Sequence, residues 1–238
     1  MDLSDIISDA LTYPFQNVKA LVIYIILGII AAIIGGTAIL SFAGAMATKG
    51  FAGFAFSGVA IVGIVIFIII LFLIEGYALD IVKFGIGRRV DSPGIDFGRQ
   101  VSNAIKLLAV NVVYYLVPAV LIFILGLFLR DWIMTIISLI LVIVFALANF
   151  MAKCRLAKSD NLGDALAIGE AIGDISRVGF GKLLATVIVV VIIAVLIVVI
   201  VGLVGGINDT LSDILFGIAL VYLVFFYNRA IGLLYSDV

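Results

Sequence analysis

Glu75 closes the run Val59 to Leu73, VAIVGIVIFIIILFL, and is followed by Gly76-Tyr77-Ala78-Leu79-Asp80. A carboxylate at the end of such a run can hold a cation, accept a proton or pair with a base. Asn149, Asn228 and Arg229 stand at matching places in LANFMAKCR and FYNRAIGLL, again beside aromatic residues and at the end of an apolar run. Together they form a candidate polar cluster, with a Glu75–Arg229 ion pair and Asn149 nearby as its simplest arrangement. The plain account is structural; the alternative is an ion or solute site. A second candidate lies deeper in its run, at Asn111, Tyr114, Tyr115 and Pro118. Proline removes a helical hydrogen bond one turn earlier, near Tyr114, and can kink the chain into a pocket. Packing and interhelical hydrogen bonding are the plain account of these four residues.

Other chemistry is excluded by residue type. The chain has no histidine, and Cys154 is its one cysteine. Neither a Ser-His-Asp triad, a Cys-His pair nor a zinc cluster can be assembled, and no internal disulfide is possible. Asp160, Asp164, Glu170 and Asp174 fall at i,i+4 spacing, but no glycine-centred calcium loop surrounds them. They read as the wet face of a helix, so no metal and no cofactor are expected. Glu75 and Asp80, five residues apart, point to different faces of a helix and make a poor acid–base pair. No enzyme is expected.

The elements that position these residues follow from composition. Of the 238 residues, 66% are hydrophobic and 12% are charged, against roughly 45–50% and about 25% in soluble domains. Only a bilayer solvates that much apolar surface. The apolar runs are continuous rather than alternating, which excludes barrel strands, and a helix satisfies its own backbone in lipid. Six spans are expected, near 20–42, 57–80, 106–129, 132–152, 183–206 and 211–234. The first is not expected to be a cleaved signal, since an acidic amphipathic stretch precedes it. Near residues 43–57 the outer connection is expected to be re-entrant, or a slack loop at the headgroups.

Basic residues set the orientation. Lys83, Arg88, Arg89, Arg99 and Lys106 lie between spans two and three, and Lys153, Arg155, Lys158, Arg177 and Lys182 between spans four and five. Lys19 and Arg229 share that side; only Lys49 and Arg130 lie opposite. The protein is expected in the cell membrane with both termini cytoplasmic. Acids on that side balance the bases in number, so no polybasic grip on nucleic acid is expected.

Each odd span is preceded by a short amphipathic stretch. In LSDIISDALTYPF, Leu3, Ile6, Ile7, Ala10 and Leu11 share a face, and Pro14 should end the helix. Ser92 and Pro93 should start a second, carrying Ile95, Val101 and Ile105 on one face. The third has Leu162, Leu166, Ile172 and Ile175 opposite Asp164, Glu170 and Asp174. Such helices lie in the membrane interface. The expected fold is therefore an all-α polytopic membrane protein, a single domain over 1–238. Its six spans form three hairpins, each preceded by an interfacial helix, in pseudo-threefold units of about 1–83, 91–155 and 160–238.

The run from Gly76 to Pro118 also resembles a family, the archaeal membrane proteins grouped as domain of unknown function four-zero-one-three. The matching positions are Gly76-Tyr77, Lys83, Pro93, Phe97, Lys106 and Tyr114 to Pro118, with NLGDALAIGEAIGDISRVGFGK as a second stretch. Arg99, within FGRQ, departs from the pattern. The resemblance implies an archaeal cell-membrane protein with several spans and no assigned activity. The function expected is a non-catalytic one, organising membrane lipids or partner membrane proteins, with self-association as a further option. The alternative is a small channel or carrier with the polar cluster at its cytoplasmic mouth.

Overall fold

A computed structural model describes every residue except Lys49, and every side chain except those of Lys49, residues 50–56, 209, 210 and 213. Its regular elements are helices: α1 (Leu3–Gln16), α2 (Val18–Ala47), α3 (Gly50–Ile86), α4 (Phe97–Gly126), α5 (Asp131–Ser159), α6 (Leu162–Leu166), α7 (Ile168–Val178), α8 (Phe180–Gly205) and α9 (Asp209–Leu234). A 3-10 turn over Tyr235–Asp237 follows α9. Six helices, α2, α3, α4, α5, α8 and α9, are long and apolar enough to cross a membrane, and each overlaps one expected span.

The long helices exceed what a bilayer needs. α3 has 37 residues, about 55 Å at 1.5 Å per residue, against a hydrocarbon core of about 30 Å. At one end, here the polar end, α1, α6, α7, the 87–96 connection and the 3-10 turn gather. Within the bundle α2 packs on α3 and α9, α4 on α3 and α5, and α8 on α9. Two contacts admit no side chain. A Cβ on Gly76 would collide with the Gln100 carbonyl oxygen of α4, and one on Gly232 with the Val82 carbonyl oxygen of α3. Glycine lets these backbones meet, as small residues do between membrane helices.

Four local expectations are corrected. Pro14 does not end α1, which runs two residues further to Gln16 and breaks at Asn17 (φ −109°, ψ 40°). Proline forfeits its own N–H bond but does not forbid helical residues after it. No separate helix starts at Ser92. Asp96 is the cap instead, its Oδ1 accepting from the Arg99 N–H at 3.1 Å, and residues 97–105 are the first turns of α4 itself. Pro93 is held outside the helix, its carbonyl accepting from the Tyr77 hydroxyl at 3.2 Å. The third stretch is two helices, not one, because Ala167 (φ −73°, ψ 80°) is non-helical. Side chains take the carbonyls that an unbroken helix would use there: Arg155 Nε donates to Asp164 O at 2.9 Å and Tyr114 Oη to Ala165 O at 3.0 Å. Finally, the 43–57 region is neither re-entrant nor a long loop. α2 runs to Ala47 and α3 begins at Gly50, since a helix keeps an apolar backbone satisfied. Lys49 itself lies outside the described residues.

Candidate functional site

Three ion pairs at the polar end join a membrane helix to the segment that packs beside it. On α9, Arg229 is 1% exposed, and its Nε and Nη2 reach the two carboxylate oxygens of Asp9 on α1 at 2.7 and 3.2 Å. Its Nη1 donates to the Arg89 carbonyl at 2.7 Å, and its guanidinium lies 4.4 Å over the Tyr13 ring. The planar guanidinium is suited to such forked contacts. Burial pushes the Tyr13 hydroxyl up to about 12, so it stays neutral beneath that cation.

On α3, Asp80 receives Arg99 Nε and Nη2 of α4 at 3.1 and 3.0 Å and Asn103 Nδ2 at 3.0 Å. On α5, Arg155 Nη1 lies 3.0 Å from Asp174 of α7. Asp174 is fully buried and also accepts from the Tyr235 hydroxyl at 2.6 Å and from Arg177 at 2.7 Å. Burial pushes its carboxyl up, but the bonds from Tyr235, Arg155 and Arg177 outweigh that and hold it below the ordinary carboxylate range. It was expected on a wet helical face; Arg155 and Tyr235 instead bring it inside, because a buried acid needs this many donors. Beside it lies a polar pocket of about 400 Å³ lined by Arg155, Lys158, Asp164, Asp174, Arg177 and Tyr235, among others. Gly179, with φ +94°, makes the turn from α7 into α8 that puts α7 against α5.

The residues singled out from sequence are not one cluster. Glu75 does not pair with Arg229; it is 54% exposed and stands 3.7 Å from Lys153 of α5. Arg229 is committed to Asp9, which offers a bidentate partner. Asn149 Nδ2 donates to Asn111 Oδ1 at 3.0 Å, linking the two candidate sets. Asn228 Nδ2 donates to its own helix at Val224 O, 2.6 Å away. Pro118 is buried inside α4, which continues unbroken to Gly126, so no broken helix forms a pocket there. A proline in a membrane helix is accommodated by its neighbours. Tyr114 is buried against α6 and Tyr115 is 64% exposed, so the two do not line one site.

Sequence reasoning missed Asp9, Asp80, Arg99, Arg155 and Asp174 as partners. A signal existed: Asp80 and Arg99 are 19 residues apart, and so are Arg155 and Asp174. Both gaps run from the end of a span across a connection to the next segment. The described residues hold no group of three or more histidine, cysteine or carboxylate side chains placed to bind a metal.

A family model described as "Protein of unknown function (DUF4013)" matches residues 61–206, more than half of the chain, and the chain belongs to that family. Two of the three ion pairs, Asp80–Arg99 and Arg155–Asp174, fall within the matched residues. No curated protein matches the chain, and no solved structure does.

Proposed function

We propose that this DUF4013 protein is a non-catalytic membrane organiser that holds lipids or partner membrane proteins against a rigid polar cap. In this reading the cap faces the cytoplasm of a cell-membrane protein, with both termini on that side. In the same reading three hairpins, α2–α3, α4–α5 and α8–α9, repeat about a pseudo-threefold axis, with α1 before the first, α6 and α7 before the third, and the first turns of α4 taking that place in the second. One observation carries the proposal. Each span-end charge, Asp80, Arg155 or Arg229, is bound by the segment of the next unit, Arg99, Asp174 or Asp9. The third pair returns to the first unit and supports a closed ring. A cap built this way fixes the mutual positions of the spans and leaves their apolar outer faces as the surface offered to the bilayer.

Native mass spectrometry of protein extracted gently from its own membrane tests this. A stoichiometric protein partner or firmly held lipid is the expected result. A subunit carrying only a small solute or ion would overturn it.

A second reading, a small channel or carrier, draws on two buried acceptors. Asn149 Oδ1 and Asn228 Oδ1 have no hydrogen-bond partner among the described residues, and Glu75 is half-exposed nearby. Solute flux into liposomes that the Glu75→Gln variant abolishes would put this reading first.

A further inference from the structure

Where α1 gives way to α2, three buried polar atoms have no hydrogen-bond partner among the described residues: the Tyr13 hydroxyl and both the oxygen and the nitrogen of the Asn17 amide. Asn17 is the single residue between the two helices. An asparagine in that place commonly caps the helix that follows, yet the Asn17 amide makes no cap bond to α2. Tyr13 stands at i,i+4 to it, so the two side chains share a face. The Tyr13 hydroxyl lies beside the Asn17 amide, but neither completes a hydrogen bond there. Tyr13 is 0% and Asn17 2% exposed, so bulk water does not serve them.

We infer that the break between α1 and α2 holds a trapped water molecule, bonded by the Tyr13 hydroxyl and the Asn17 amide. This site goes beyond the organising role and does not depend on it. A buried amide or hydroxyl without a partner carries a desolvation cost that nothing returns. Internal water makes about three bonds to such groups, and the junction offers three: Asn17 Nδ2 donates, Asn17 Oδ1 accepts, and the Tyr13 hydroxyl does either.

Charge excludes an ion. The Arg229 guanidinium lies 4.4 Å over the Tyr13 ring and repels a cation, while its own charge is answered by Asp9 and is not free for an anion. Enclosure limits the size. Tyr13 belongs to one buried cluster with Ala20, Leu21 and Tyr24 of α2 and Tyr77 of α3, so the occupant is small and neutral. Bound there, water takes the place of the cap bond that Asn17 does not make. It seats α1 on α2 beside the Arg229–Asp9 pair.

The test is X-ray hydroxyl-radical footprinting of the whole protein in lipid nanodiscs, read by peptide mass spectrometry. Radicals formed from an ordered internal water oxidise the side chain that touches it, whether or not bulk solvent reaches that side chain. Corrected for intrinsic reactivity, Tyr13 should be oxidised several-fold faster than Tyr114. Tyr114 is as enclosed, at 1% exposed, but its hydroxyl is bonded to the Ala165 carbonyl. Equal rates for Tyr13 and Tyr114 would overturn the proposal. So would oxidation of Ile6, buried on the same helix, at the Tyr13 rate, because that marks α1 lifting away rather than a held water. Both comparisons use the unaltered chain and need no variant to fold. Asn17→Leu removes two of the three bonding atoms at nearly constant size. It should bring Tyr13 down to the Tyr114 rate and lower the unfolding temperature; a higher unfolding temperature would mean that the amide was never hydrated and would sink the inference.

Discussion

The two ends of the bundle are held by different forces. At the polar end Tyr13, Tyr77, Met151, Cys154, Phe226 and Arg229 are all at most 1% exposed, whereas at the other end Leu40, Phe128 and Leu203 are 73%, 80% and 71% exposed. α8 makes the contrast within one helix: Leu183, Thr186 and Val190 are buried near the polar end, and of its remaining residues only Val201 is. Lipid tails are as apolar as leucine, so nothing drives the outer halves together beyond van der Waals packing. Polar groups behave differently. Arg229, Asp80 and Asp174 must find partners wherever water is excluded, and the partners lie on other segments. The fold is thus specified at one end by polar bonds and tolerated at the other by a solvent of the same character.

That contrast can be broken most severely at Asp9. Replacing it with alanine leaves the Arg229 guanidinium buried without its carboxylate, and loss of about 3–5 kcal/mol is expected. Thermal unfolding in detergent, with proteolysis of α1 as a local readout, measures it. Arg229→Met combined with Asp9→Leu should cost far less, because two apolar groups replace the pair. Gly76→Ala comes next: its methyl has no room against the Gln100 carbonyl, so α3 and α4 must part, at about 1–3 kcal/mol or more. A weakened α3–α4 contact should appear as faster hydrogen exchange over residues 97–103.

Tyr235→Phe removes one donor from Asp174, and about 1.5–3 kcal/mol is at stake for a bond to a charged group. It also changes a pH dependence. Because Asp174 is held below its ordinary value, the folded chain binds fewer protons than the unfolded one in that range, and stability rises with pH there. Its contribution is complete above the ordinary carboxylate value near 3.9 and is lost as pH falls below it. In the Tyr235→Phe variant the folded-state value moves up toward the ordinary one, so less stability should be lost on acidification, read as a shallower fall of the unfolding temperature between neutral and acid pH. Glu75→Gln should change stability by less than about 1 kcal/mol, since its partner is loose and the group half-exposed. Leu40→Ala, at the far end, should stay within about 0.5 kcal/mol in a bilayer. If it costs as much as Tyr235→Phe, the outer halves are packed and the contrast fails.

The spans were legible because continuous apolar runs report length directly, and length is what a bilayer reads. Arg229 was legible as an unusual residue, but its partner was not: Asp9 is 220 positions away, beyond any periodicity. Glu75 drew attention because a carboxylate closing a long apolar run is conspicuous, while Asp80, five residues on, is the one tied down, by Arg99 and Asn103 of the next long helix. Asp174 looked wet because helical spacing shows which residues share a face and says nothing of what covers it. Residue preference alone did not choose the cap at Asp96 over Ser92, since either residue can accept an amide hydrogen.

The bond between Asp9 and Arg229 also orders events in time. During synthesis α1 is made first and must wait for α9 before its buried face has a partner. At roughly 5–20 residues per second, the 220 residues between them take on the order of 10–45 s. Over that interval Ile6, Ala10 and Tyr13 have no α9 to cover them, and the membrane surface is the nearest apolar refuge. Docking of α1 is then the last step of assembly rather than the first. A chain interrupted before Arg229 would be expected to carry its spans in the bilayer with α1 still undocked.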